Sequence, residues 1–185
     1  GETVFHESAH KHFSGEALYT DDIPEPRGLL HAYVGLSTVA HAKSVKLDLA
    51  KVKAAPGVRD VVVAADIPGH RDIGPVFPGD PLLVEDTIEF YGQVLFAVLA
   101  DSYEQARKAA RLAQVSCEEL PALISIEEGL QAQQFVRPSH QQQRGDWESA
   151  LDGAPMRLQG EFRSGGQEQL YLEGQASLCV PQEDG

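Results

Sequence analysis

Three consecutive stretches decide the fold: Val94-Leu-Phe-Ala-Val-Leu-Ala100, then Asp101-Ser-Tyr-Glu-Gln-Ala-Arg-Lys-Ala-Ala110, then Val115-Ser-Cys-Glu-Glu119. The first is an unbroken apolar run of strand length and reads as a buried strand. The second changes period. Ala106, Ala109, Ala110 and Ala113 recur at helical spacing, and a stripe of small side chains lets a helix sit close on a sheet. Asp101 with Glu104 three residues on has the spacing of a capping box and is expected to start the helix. Arg107, Lys108 and Arg111 lie toward its C-terminal half, where the macrodipole favours cations. Val115 to Glu119 reads as a returning strand, so residues 94–118 are expected to form a strand–helix–strand unit.

Upstream, Leu29 to Leu36 reads as a strand, with His31 on its polar face. Val45 to Leu49 alternates as a short strand, and Asp48 is expected to cap a helix from Leu49 to Ala55 that Pro56-Gly57 stops. Val58 to Ala65 contains a continuous apolar run of buried-strand type. Pro68, Pro75, Pro78 and Pro81 make residues 66–81 a long loop, and such loops inside compact domains are often functional or interfacial. Pro81 to Val84 and Thr87 to Tyr91 flank a turn. Downstream, Ser125 to Gln133 is expected as a helix, with Ser125 as cap and Glu128 completing the box. Residues 137–146 form a polar linker, Trp147 to Leu151 a helical turn, and Met156 to Phe162 and Gln169 to Val180 two strands of a new unit.

The whole chain has 185 residues, 42% hydrophobic and 23% charged, which suffices for a core and is not the composition of disorder. A net charge of −13 argues against tracking nucleic-acid phosphates or an anionic membrane. No stretch approaches the roughly 20 apolar residues of a membrane span. The N-terminal residues lack the basic and apolar regions of a signal peptide. Turn chemistry follows directly on the apolar run that ends at Val180, so a piece of a longer chain is expected.

Cys117 and Cys179, the two cysteines, cannot hold an iron–sulfur cluster, which takes about four thiolates. Both lie in apolar runs and read as small core residues. His6-Glu-Ser-Ala-His10 is a literal H-E-x-x-H, the zinc-hydrolase pattern. No apolar helix surrounds it, and Phe13 and Glu16 stand where the longer metal-binding form has Gly and His, so a polar leader is the preferred reading. Asp21-Asp22 before Ile-Pro are expected to organise a turn. Tyr19 and Trp147 read as core or boundary packing. Ser164-Gly-Gly-Gln167 places paired glycines before an amide: bare backbone permits close approach to a ligand, and the amide offers two donors and an acceptor, while a glycine turn opening a strand explains the same residues equally well.

With that segment placed, the chain resembles one family. The stretches that carry the resemblance are Ser8 to Pro24, Ala40-His-Ala42, Pro56-Gly-Val58, Ala65-Asp-Ile-Pro-Gly69, Asp72-Ile-Gly-Pro75, Gly79-Asp-Pro-Leu-Leu83, Gly92-Gln93, Arg144-Gly-Asp146, Gly165-Gly-Gln-Glu168 and Tyr171-Leu-Glu173. In this order they resemble the N-terminal part of the molybdenum-binding large subunit of bacterial xanthine dehydrogenases, in the xanthine oxidase/aldehyde oxidase family. Gln169 and Gly174 depart from its pattern.

The resemblance implies an α+β fold: residues 1–14 a leader, 15–136 an α/β hammerhead domain, 137–146 a linker and 147–185 the start of a molybdopterin-binding region. It implies that Gln167 lies beside molybdenum and hydrogen-bonds an oxo ligand, with Gly165 and Gly166 shaping the approach. The catalytic glutamate base falls beyond residue 185, so no catalytic residue is expected here. The implied reaction is oxidative hydroxylation of hypoxanthine and xanthine to urate in a cytoplasmic enzyme. Electrons leave through 2Fe-2S clusters and FAD, carried by a small partner subunit, to NAD. The isolated chain is expected to be inactive and without cofactor. The alternatives are a purely structural interface module and, through His6 and His10, a zinc hydrolase.

Overall fold

The computed structural model describes residues 3–171 and 174–183. Its helices are α1 (Ala9–Ser14), α2 (Ala50–Lys53), α3 (Tyr103–Ala110), α4 (Ile126–Gln131) and α5 (Trp147–Asp152). Its strands are β1 (His31–Leu36), β2 (Ala42–Asp48), β3 (Val58–Val63), β4 (Val94–Ala100) and β5 (Gln114–Glu119). Chain contacts divide it into residues 26–136 and a second unit of residues 1–25 with 137–185. All five strands belong to the first.

β4 is the centre of a three-stranded antiparallel sheet in the order β1-β4-β3. Leu95, Phe96, Val98 and Ala100 are buried, which is why this segment carries no polar side chain. Ala106, Ala109 and Ala110 of α3 are buried in the same core. Gly35 of β1 lies against Phe96: a Cβ there would stand 2.2 Å from the ring. β2 and β5 form a separate two-stranded antiparallel sheet. The fold is α+β as expected, a mixture of short helices and antiparallel strands.

Several elements differ from the sequence reading. Ser102, not Asp101, caps α3: its backbone is extended and its hydroxyl accepts the Gln105 amide at 3.3 Å. Asp101 instead holds the Arg59 guanidinium through two bonds of 2.6 and 2.9 Å. The strand after α3 does not return to β4; it pairs with β2. β3 stops at Val63, where Ala64–Asp66 turns as a 3-10 helix and the Asp66 carboxylate accepts the Val63 amide. β3 is an edge strand with only Val61 fully buried, not the buried strand expected.

The helix expected from Leu49 to Ala55 is the single turn α2, which Leu49 precedes. Asp48 accepts the Ala50 amide at 3.1 Å, one position earlier than a cap. Pro81 to Val84 and Thr87 to Tyr91 lie outside the strands, and Ile88 bridges to Ala42. Ser125 caps α4 as expected, with Glu128 completing the box.

Met156 to Phe162 and Gln169 to Val180 form no strand among their described residues. No neighbouring strand offers them a ladder, and apolar alternation without a partner leaves backbone groups to water. Residues 172 and 173 of the second segment lie outside those described. Cys179 is exposed and Cys117 half-buried, so neither is a fully enclosed core residue. Tyr19 and Trp147 are both exposed.

Candidate functional site

Gly165, Gly166 and Gln167 lie in a segment without regular secondary structure, and all three are exposed. Neither glycine has a positive φ. Conformational freedom is therefore not what selects glycine here. What glycine supplies is space: no atom lies within 4 Å of where a Cβ would stand on either residue. A planar group can approach this backbone to van der Waals contact, and the Gln167 amide follows immediately with two donors. The segment is bordered by the Arg163–Glu161 ion pair at 2.6 Å and by Leu170, whose φ of 51° is a strained value for a branched side chain.

The zinc pattern does not assemble. α1 begins at Ala9, so His10 is helical while His6 and Glu7 precede the helix. The two imidazoles do not share a helix face as the motif requires. His6 Nδ1 accepts the Ser8 amide at 3.1 Å, which uses one ring nitrogen in a turn. Among the described residues no three His, Cys, Asp or Glu side chains are grouped to hold a metal ion. Asp21 and Asp22 organise a turn as expected: Thr20–Asp22 is a 3-10 helix and the Asp22 carboxylate accepts the Tyr19 amide at 3.1 Å.

The 66–81 loop is more ordered than its composition suggests. The Asp72 carboxylate accepts backbone N–H groups of Gly74 (2.9 Å), Gly79 (2.7 Å) and Asp80 (3.3 Å). These bonds, Gly74 foremost, hold its pKa below the ordinary carboxylate value. Ile73 N–H to Asp80 O and Leu82 N–H to Arg71 O close the base of the loop. Ile73, Val76 and Phe77 are exposed on it. The Pro and Gly content marks the loop, but nothing in the sequence singles out Asp72 as its clamp.

A cleft of about 620 Å³ lies between β1 and β5, floored by Ile88, Leu95 and Phe96. Arg111 and Glu119 stand on its walls.

A central antiparallel strand crossed by an alanine-faced helix, with a second two-stranded sheet beside it, defines a hammerhead module. A family profile described as "Aldehyde oxidase and xanthine dehydrogenase, a/b hammerhead domain" matches residues 14–121. The chain belongs to that family. It is 36% identical over 186 residues to a xanthine dehydrogenase/oxidase of Gallus gallus, covering 100% of this chain and 14% of the relative. It is 39% identical over 181 residues to xanthine dehydrogenase 1 of Arabidopsis thaliana, covering 96% and 13%. The aldehyde oxidoreductase structure from Desulfovibrio gigas superposes with a TM-score of 0.58 at 30% identity, over 66% of this chain and 15% of that one. The chain thus spans about a seventh of the length of the curated relatives it matches.

Proposed function

We propose that residues 1–185 are the N-terminal portion of the molybdenum-binding large subunit of a bacterial xanthine dehydrogenase. The observation that carries this reading is the match of the whole chain, not only its hammerhead, to xanthine dehydrogenases at 36–39% identity. In this reading residues 1–14 lead into a hammerhead over 15–136, 137–146 link it, and 147–185 open the molybdopterin-binding region. The complete enzyme hydroxylates hypoxanthine and xanthine to urate. Its 2Fe-2S clusters and FAD sit on a small partner subunit; the two cysteines of residues 1–185 are too few to hold a cluster within this portion. The final acceptor in this reading is NAD, and the proposed location is the cytoplasm.

Molybdopterin-bound molybdenum, when present, supplies the two-electron redox and oxygen-transfer chemistry. The residues here fit it as one wall of a site. The bare backbone at Gly165 and Gly166 leaves room for close approach, and the Gln167 amide has the donor chemistry an oxo ligand needs. This chain's part is to orient the group through Gln167; the proton-accepting glutamate and the rest of the cradle come from beyond residue 185. By itself the chain is silent.

The test is turnover of the full-length protein with its partner subunit. NAD reduction is expected with xanthine and hypoxanthine, and Gln167→Ala should lower kcat about ten- to a hundredfold, the equivalent of roughly 1–3 kcal/mol for an unpaired buried group. Turnover of aldehydes but not purines would refute the substrate. Unchanged turnover in a fully metallated Gln167→Ala enzyme would refute the role of that amide.

A further inference from the structure

We propose that the outer edge of β1 is a docking edge, and that its occupant is an extended strand supplied by the remainder of the parent polypeptide. The proposal rests on the reading above that residues 1–185 are part of a longer chain. The sheet order β1-β4-β3 leaves β1 paired on one side, and the β2-β5 sheet leaves β5 paired on one side. These two edges face one cleft. Its lining includes every residue from Tyr33 to Val39 and from Val115 to Cys117. Side chains of a strand alternate between faces, so a consecutive run along a cleft is the mark of a backbone edge.

The four terminal strands are not guarded alike. β3 carries Arg59 and Asp60, and β2 carries Lys43, Lys46 and Asp48. Charges of this kind keep an open edge from pairing. β5 carries Glu118 and Glu119 at one end, with Glu118 held by Lys43 at 3.0 Å. From Ala32 to Leu36, β1 has no charge and no proline, and Val34 and Leu36 are exposed. An apolar edge without charge or proline, its register irregular only at Gly35/Leu36, beside an apolar floor of Phe96, Leu95 and Ile88 is suited to strand addition. Main-chain bonds would give affinity, and alternate apolar side chains would fill the floor.

The parent polypeptide is the favoured source for two reasons. This chain corresponds to only 14% of a relative's length, so most of such a molecule is covalently linked to the edge and present at high effective concentration. A second copy brings another net charge of −13 against the first, which opposes pairing.

Amide hydrogen exchange, resolved residue by residue over 32–36 and 115–117, tests this in the 185-residue chain and in the full-length protein. Alternate amides that face away from β4 and β2 should exchange rapidly in the chain alone. In the full-length protein they should slow a hundredfold or more, while β4 amides are protected in both. Equally rapid exchange in the full-length protein would overturn the proposal. Protection already present in the 185-residue chain at all concentrations would overturn it too, and protection growing with concentration would give the edge to a second copy. The mass of the natural polypeptide separates the underlying reading: a product of 185 residues refutes the longer parent, whereas a long product with rapid exchange refutes only the docking edge.

Discussion

Phe96 and Phe162 both sit in segments that read as strands in the sequence, and they have opposite fates. Phe96 is in β4, flanked by β1 and β3, with α3 packed in the same core. Phe162 is 92% exposed in a segment with no ladder. The difference lies in the neighbours. Residues 94–119 bring their own covering helix, and β1, β2 and β3 arrive from within the preceding 70 residues to pair with β4 and β5. Residues 156–180 have no such partner among the described strands. A strand is thus a property of an assembly, and only the first region carries enough of its assembly to form one.

The comparison would break if truncating the two rings had similar consequences. In the 185-residue chain, Phe96→Ala should destabilise by about 3–5 kcal/mol, the usual cost of deleting a buried aromatic ring. Phe162→Ala should stay within about 0.5 kcal/mol, as for an exposed residue. Urea unfolding followed by far-UV circular dichroism reads both. A large loss at Phe162 would mean that the C-terminal segment has a partner after all.

Adding one carbon sharpens the same point. Gly35→Ala puts a methyl group 2.2 Å from the Phe96 ring, and the ring is enclosed and cannot simply swing away. Overpacking of this sort costs about 1–3 kcal/mol. Gly166→Ala has open space around it and a φ outside the left-handed region. It should leave the unfolding midpoint unchanged, and if position 166 serves close approach to a ligand its effect will surface only as lost cofactor in the full-length protein.

A smaller effect separates the two candidate caps of α3. Ser102→Ala removes the hydroxyl that accepts the Gln105 amide and should cost about 1 kcal/mol. Asp101→Ala keeps that cap and removes only a solvent-exposed pair with Arg59, so its unfolding midpoint should move less. The reverse ranking would restore Asp101 as the cap.

These cases show what the sequence could and could not reveal. β4 and α3 were legible because period, length and side-chain size all act locally. The cap was misread because Asp101 and Ser102 are adjacent and both suitable, and the deciding partner, Arg59, is 42 residues away. Ser102-Tyr-Glu-Gln105 is itself a capping-box pattern and was the available signal. The separation of β5 from β4 was hidden for a similar reason: its partner β2 lies far upstream. Gly165 to Gln167 could be picked out by their chemistry, but only the family resemblance assigned them a role, since a glycine pair before an amide equally describes an ordinary turn.

The smallest expected effect concerns the Asp72 loop, which has order without a buried side chain to enforce it. Three backbone N–H groups point at one carboxylate, so the charged form is favoured and its pKa lies below the ordinary value of 3.8. A depressed folded-state pKa contributes stability above the unfolded-state value and loses it as pH falls through the folded one. Acidification from neutrality to about pH 5 should therefore leave the loop closed, because even an ordinary aspartate is ionised there. Protection of the Gly79 amide, whose bond to Asp72 is 2.7 Å, taken relative to an unstructured amide at the same pH, should fall only below the usual carboxylate range. At neutral pH, Asp72→Ala should give the same opening without acid. Elastase cleavage after the exposed Val76 reads it, with faster nicking of the loop and an almost unchanged unfolding midpoint for the hammerhead. Equal cleavage rates in the two proteins would show that Ile73–Asp80 and Leu82–Arg71 hold the loop without the carboxylate.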